Sequence, residues 1–264
     1  MRATRYLNLI SGQAIIDDSA TIAEGVSIGP FSIIGPGVEI GEGTWIGPHV
    51  VINGPTKIGK NNKVFQFSSL GEEPQDIGYK GEPTQLEIGD NNIIRENCTM
   101  SRGTEHGGGV TRVGSNNFIM AYSHIAHDCQ VGSHVIFANG ASLGGHVVIQ
   151  DFVTLGGFAL IHQFVKVGAY SFCGMGSGVN KDVPPYIIVT GNPAEARGLN
   201  SVGLKRRGIN ADAIKSLKNA YRNIYTSGMK LTEAVEQLEE QDEKCAEVEN
   251  FVEFIRNAER SIVR

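Results

Sequence analysis

Histidines beside a carboxylate give the first chemical lead. The segment Ser123-His124-Ile125-Ala126-His127-Asp128-Cys129 sets two imidazoles next to Asp128, and His146 and His162 follow further along. His127, Gly145 and Gln163 are spaced by eighteen, Asp128 and His146 likewise, and His162 immediately precedes Gln163. Imidazole is the side chain whose unperturbed pKa best suits proton transfer near neutrality, so a column of this kind would serve general-base chemistry. The plainer reading is a set of ordinary surface histidines. Which reading holds depends on whether the fold repeats every eighteen residues.

An apolar residue returns at every sixth position over most of the chain. One run passes through Ile16, Ile22, Ile28, Ile34, Ile40, Ile46, Ile52, Ile58, Val64 and Leu70, and a short one through Ile88, Ile94 and Met100. A third passes through Val113, Ile119, Ile125, Val131, Phe137, Leu143, Ile149, Leu155, Ile161, Val167, Cys173 and Val179. A period of six fits neither an amphipathic helix nor an alternating strand. It is the hexapeptide signature of a parallel β-helix, in which each short strand sends one side chain inward and a turn leads to the next face. Three hexapeptides close a coil of about eighteen residues, and coils stack about 4.8 Å apart. Residues eighteen apart then lie above one another, which gathers His127, His146 and His162 at one corner of consecutive coils.

The rhythm breaks twice, near 71–87 and 101–112. Gly, Pro and polar residues between Leu70 and Ile88, and Arg102-Gly103-Thr104-Glu105-His106-Gly107-Gly108-Gly109 after Met100, predict loops extruded from the prism. Loops on a rigid scaffold are where binding groups tend to sit. Residues 1–190 therefore form the β-helix domain. Residues 191–264 form an α-helical domain, with Asn210 capping a helix that carries Ile214, Leu217, Tyr221 and Ile224 and stops near Gly228. Thr232 is expected to cap the next helix, and a last one presents Val248, Phe251, Val252 and Ile255.

A formal net charge of -5 argues against broad nucleic-acid binding. No apolar run is long enough to span a bilayer, and Met1 to Ile10 lacks the apolar core of a signal peptide, so a cytoplasmic protein is expected. Cys98, Cys129, Cys173 and Cys245 have neither CxxC spacing nor a stacking phase, and are read as reduced structural thiols. Zinc held by three histidines is the competing chemistry. His127 and His162 stand nearly two coils apart, about 9 Å, too far to share an ion. A non-catalytic scaffold would leave the arrangement of His127 and Gly145 without a reason.

Five segments carry a closer resemblance: His124-Ile125-Ala126-His127-Asp128-Cys129, Gly145-His146-Val147, His162-Gln163-Phe164, Asp182-Val183-Pro184-Pro185-Tyr186 and Gly203-Leu204-Lys205-Arg206-Arg207-Gly208. Together with both loops, the chain resembles over nearly its whole length the UDP-N-acetylglucosamine O-acyltransferases that open lipid A biosynthesis in Gram-negative bacteria. The related N-acyltransferases of that pathway carry an extra N-terminal uridine-binding domain, for which this chain leaves no room. Gly78, Ser101 and Val202 stand where some members carry a lysine, a histidine and an acidic residue.

The resemblance implies a left-handed β-helix, a homotrimer with sites between neighbouring prisms, and no cofactor or metal. It implies transfer of an (R)-3-hydroxyacyl group from acyl carrier protein to the glucosamine 3-hydroxyl of UDP-N-acetylglucosamine. His127 would be the general base, Asp128 its orienting partner and the Gly145 N–H the oxyanion donor. His124, His146, His162, Gln163, Gln75, Asp76 and Asn200 would bind substrate, and Arg206 and Arg207 would meet the UDP phosphates. Met175 would end the acyl channel early, favouring a short 3-hydroxydecanoyl donor. Plainer roles stand beside several of these: a corner residue bonded to its own turn for Asp128, a solvated helix end for Lys205-Arg206-Arg207, a gap-filling side chain for Met175. Apart from the resemblance, Lys215, Lys218 and Arg222, three and four apart on one helix face, offer a docking face for the acidic carrier, with an ordinary solvated helix face as the plainer reading.

Overall fold

The computed structural model describes residues 10–240 and 245–264; residues 1–9, at the start of the expected prism, and 241–244 lie outside them. A strand, mostly of two residues, recurs in each hexapeptide, and its last or second residue points inward. Every member of the six-residue rhythm from Ile28 to Val179 is buried. Full burial of such a side chain is worth about 1.5–3 kcal/mol, and the ladder repeats it coil after coil.

Among the described residues the strands form three sheets of nine, eight and ten strands, parallel throughout except for the last strand of the third. Pairing joins residues eighteen apart, as in Ile15↔Ile33, Ile33↔Val51 and His124↔Ser142. The result is a left-handed parallel β-helix, an exception to the usual right-handed crossover. Along the chain the nine-stranded His124 face leads through the His127 corner to the eight-stranded Gln130 face. That face leads through the Tyr170 corner to the ten-stranded Phe118 face, which returns through the Met175 corner. Each corner contains a left-handed residue, and many of these are not glycine: Asp128 (φ 60°), His146 (φ 60°), Tyr122 (φ 64°) and Tyr170 (φ 60°) are examples. Such values are uncommon for bulky residues. Here aromatic neighbours stack on the coil above, as in His134–Phe152 at 4.7 Å and Phe152–Tyr170 at 4.7 Å.

Both interruptions keep the ladder in phase, because Leu70 pairs with Met100 and Met100 with Ile125. Strands reach further into them than expected: Ser69–Glu72 and Gln85–Ile88 leave only 73–84 as the first loop, and Thr99–Ser101 and Val110–Val113 leave only 102–109 as the second. Leu70, Met100 and Ile125 share one face, so both loops emerge at the His127 corner.

Sheet structure also runs past residue 190. Ile187–Thr190 pairs parallel with Phe172–Cys173, and Glu195–Leu199 then folds back antiparallel on it, so the first helix, α1 (Ser201–Arg206), starts only after Leu199. Next comes α2 (Ala211–Thr226), whose first turn is capped by the Asn210 side chain accepting from Ala213 N. The helix α3 (Leu231–Glu239) begins two residues earlier than expected: Lys230, not Thr232, is its N-cap, and Glu233 reaches back to the Lys230 N–H. The last helix is α4 (Ala246–Arg256). The tail that follows returns to the prism, with Val263 N donating to the Asp182 carbonyl and Lys166 Nζ 2.8 Å from Glu259. Among the described residues no helix is long and apolar enough to cross a membrane. Cys98, Cys129 and Cys173 are free and buried, and burial pushes their thiols up to about 11, about 12 and about 12.

Candidate active site

The His127 corner collects polar groups from three coils and both loops. His127 Nδ1 lies 2.8 Å from Asp128 Oδ2, and the Asp128 side chain is 1% exposed. The carboxylate does not bond its own turn. It accepts from Thr104 N at 2.7 Å on Oδ1 and from Thr104 Oγ1 at 2.6 Å on Oδ2, while the Asp128 N–H donates to Thr111 Oγ1. A carboxylate only accepts, so Nδ1 carries the imidazole proton and Nε2 is left as the basic nitrogen. Gly107 makes this wrapping possible: a Cβ there would fall 2.1 Å from the Asp128 carboxyl carbon.

One coil above, the His127 ring lies directly on Gly145. A Cβ at that position would sit 2.7 Å from Nε2 and 2.5 Å from Cε1. The Gly145 carbonyl accepts from Phe164 N and the next N–H, of His146, donates to the His127 carbonyl; the Gly145 N–H itself has no backbone acceptor among the described residues. His146 meets the His127 ring edge-on at 5.2 Å, stacks on Phe164 at 4.4 Å, and places Nε2 3.6 Å from Asp128 Oδ2. Burial holds the His146 pKa below the usual imidazole value, against the pull of Asp128. His124, on the adjoining face, bonds Thr99 Oγ1 through Nδ1 at 2.7 Å, and burial lowers its pKa too.

The first loop leans towards the same corner. Asp76 accepts from Gly78 N at 2.8 Å and has Oδ2 3.3 Å from His106 Nε2; the Gly78 N–H, aided by the nearby histidines, holds its carboxyl below the ordinary range. Gln75 is exposed beside it. Arg102 fastens the loop's base: its buried guanidinium donates to the Gly54 and Gly71 carbonyls and to Tyr79 OH.

His162 stands at this corner, two coils above His127, but turns aside, and other expected site residues lie at different corners. His162 turns Nδ1 to the Gln163 carbonyl, where Arg260 of the tail also donates at 2.8 Å, so the three histidines do not converge. Asn200 and Arg207 belong to the Tyr170 corner. The Asn200 amide donates to the Tyr170 carbonyl and its oxygen caps α1 by accepting from Gly203 N, and the Arg207 guanidinium lies 5.1 Å above the Phe152 ring. Arg206 is exposed on the last turn of α1. Met175 stands at the third corner and is 81% exposed, so it closes no cavity within one chain. Ligand atoms of His127, Asp128 and His146 lie within 4.8 Å of one another, a spacing a metal could use, yet both imidazoles already face the same carboxylate.

Sequence reading missed Thr104, Thr111 and His106. Their signal was the phase of the insertion: the second loop leaves the coil directly below Asp128.

Comparison with known proteins decides the lineage. Residues 182–263 match the family described as UDP N-acetylglucosamine O-acyltransferase, domain 2, and residues 37–64 and 111–145 match bacterial transferase hexapeptide repeats. An acyl-[acyl-carrier-protein]–UDP-N-acetylglucosamine O-acyltransferase of Halorhodospira halophila is 54% identical over 97% of this chain and 99% of its own. The chain belongs to the UDP-N-acetylglucosamine O-acyltransferase family. A relative of the same name from Stutzerimonas stutzeri is 49% identical over 98% of this chain and 100% of its own. The solved Francisella novicida UDP-N-acetylglucosamine acyltransferase shares the fold of this family member with a TM-score of 0.94, at 43% identity, covering 97% of this chain and 94% of that one.

Proposed function

We infer that this chain is an acyl-carrier-protein-dependent UDP-N-acetylglucosamine O-acyltransferase acting at the first step of lipid A biosynthesis in the cytoplasm, and that His127 is its general base. The observation that carries the mechanism is the pairing of a His127 Nε2 left basic by Asp128 with Gly145 packed against the same ring, its N–H without a backbone acceptor among the described residues. Nε2 takes the proton of the sugar 3-hydroxyl as that oxygen attacks the thioester carbonyl of an (R)-3-hydroxyacyl carrier protein. The Gly145 N–H stabilises the developing oxyanion. Collapse of the tetrahedral intermediate breaks the C–S bond, and the departing carrier thiolate takes the proton back from the imidazolium. No covalent enzyme intermediate is required.

The active unit is a homotrimer on this reading. The proposed groups occupy three different corners of one prism: His127 and Asp128 at one, Asn200 and Arg207 at the second, Met175 at the third. They can meet a single substrate only if neighbouring prisms bring different corners together. The His124 face and the Met175 corner also expose Ile33, Phe31, Phe67, Tyr122, Phe158 and Leu160, more contiguous apolar side chains than a monomer ordinarily leaves bare. Met175 then shortens the acyl track from a neighbouring chain, favouring 3-hydroxydecanoyl over 3-hydroxymyristoyl donors. Arg206 and Arg207 supply guanidinium forks for the diphosphate. Purified protein incubated with UDP-N-acetylglucosamine and hydroxyacyl carrier proteins of graded chain length should yield the 3-O-acyl nucleotide sugar, fastest with the ten-carbon donor. Absence of product with every donor would overturn the assignment.

A further inference from the structure

We propose that His106, in the second loop, is a positioning residue that couples the sugar-binding carboxylate Asp76 to the His127–Asp128 dyad, so that loops and corner act as one unit. This rests on the reading of Asp76 as a group that meets the sugar. His106 lies in the 3-10 turn Glu105–Gly107, whose cap Thr104 accepts from Gly107 N. Its Nε2 is 3.3 Å from Asp76 Oδ2 and 3.4 Å from Thr104 Oγ1. Thr104 Oγ1 donates its single proton to Asp128 Oδ2, the oxygen that also receives His127 Nδ1. A continuous chain therefore runs from Asp76 through His106, Thr104 and Asp128 to His127.

Proton accounting fixes the direction of that chain. The Thr104 hydroxyl spends its proton on Asp128, so towards His106 it can only accept, and the Asp76 carboxylate can only accept as well. His106 must then carry its proton on Nε2 and share it between the two. Asp76 Oδ1 is held by Gly78 N. With Oδ2 held by His106, the carboxylate is fixed at both oxygens and its remaining lone pairs are aimed and free for sugar hydroxyls. Loss of His106 leaves the first loop anchored at its base by Arg102 and Tyr79 but not at Asp76. Thr104 still holds Asp128 through two bonds, so the base itself stays in place. The His106 side chain is 60% exposed, which keeps the coupling modest and its contribution to folding small.

The test uses full-length enzyme, steady-state acyl transfer and calorimetric binding of UDP-N-acetylglucosamine. His106→Ala is expected to raise the sugar KM and Kd roughly three- to tenfold while changing kcat by less than about twofold. His106→Gln, whose amide can donate to the same two oxygens, is expected to restore most of the affinity. On an Asp76→Asn background, His106→Ala should add little further loss, because the partner that gave it value is gone. An unchanged sugar KM and Kd in His106→Ala overturns the inference, as does a penalty that persists undiminished with Asp76→Asn. Wild-type protein that neither binds nor acylates the nucleotide sugar overturns the functional reading itself, a distinct outcome.

Discussion

The His127 corner and the Met175 corner are built from the same backbone device and are finished in opposite ways. Each turns the chain on most coils with a left-handed residue, Asp128 and His146 on one side, Tyr122 and Phe158 on the other. At the first, two loops fold over the turn and their donors satisfy a buried carboxylate. At the second, among the described residues no loop intervenes, and Phe67, Tyr122, Phe158 and Met175 face outward. The scaffold thus sets where corners stand, while insertions and side chains decide which corner is covered and polar and which is left bare and apolar.

The largest effect should come from placing charge on the bare corner. Phe158→Glu combined with Leu160→Glu is expected to break the trimer and to lower activity by at least about a hundredfold, since like charges forced together at an interface cost several kcal/mol. Light scattering and acyl transfer read the two consequences. Intact trimers with full turnover would show that this corner is not an interface.

At the polar corner, Gly145→Ala pushes a methyl group into the His127 ring. Displacing the base from the oxyanion donor should reduce kcat roughly a hundredfold while leaving the circular-dichroism spectrum unchanged. Turnover close to wild type would mean that the close approach of ring and glycine has no bearing on catalysis.

Met175→Gly asks whether the exposed residue gains its meaning from an adjacent chain. The substitution should move selectivity towards 3-hydroxymyristoyl by roughly ten- to hundredfold, by relieving the overpacking of a longer chain. Competition between the two donors gives the ratio directly, and an unchanged ratio would leave Met175 as a plain surface side chain.

The smallest effect concerns the helical domain. Lys215, Lys218 and Arg222 are exposed on α2, as helical spacing requires. Reversing all three to Glu should raise the KM for the acidic carrier about fivefold and flatten its salt dependence, with sugar KM untouched. If carrier KM and salt sensitivity do not move, the carrier docks elsewhere.

The prism was legible because its period is written in single residues: Ile28, Ile34 and Ile40 point inward by the same arithmetic that stacks His127 over Gly145. The loops were visible as breaks in that period, but their contacts were not, because Thr104 and His106 reach Asp128 and Asp76 through loop conformation rather than register. Only the shared face of Leu70, Met100 and Ile125 could have shown that both loops leave the same corner. Placement of Asn200 and Arg207 was likewise hidden, since docking of a helical domain on a prism obeys no repeat. Thr232 was misread as a cap because Lys230 has no capping side chain of its usual kind; Glu233 satisfies the turn instead.

On the proposed mechanism the His127 Nε2 takes the proton of the sugar hydroxyl. Single-turnover acyl transfer by wild type and His127→Ala, at equal occupancy by UDP-N-acetylglucosamine and hydroxyacyl carrier protein, tests it most directly. A rate lower by about a hundredfold to ten-thousandfold in a trimeric, folded variant is the expected result. A folded His127→Ala enzyme that transfers the acyl group at close to the wild-type rate would contradict it.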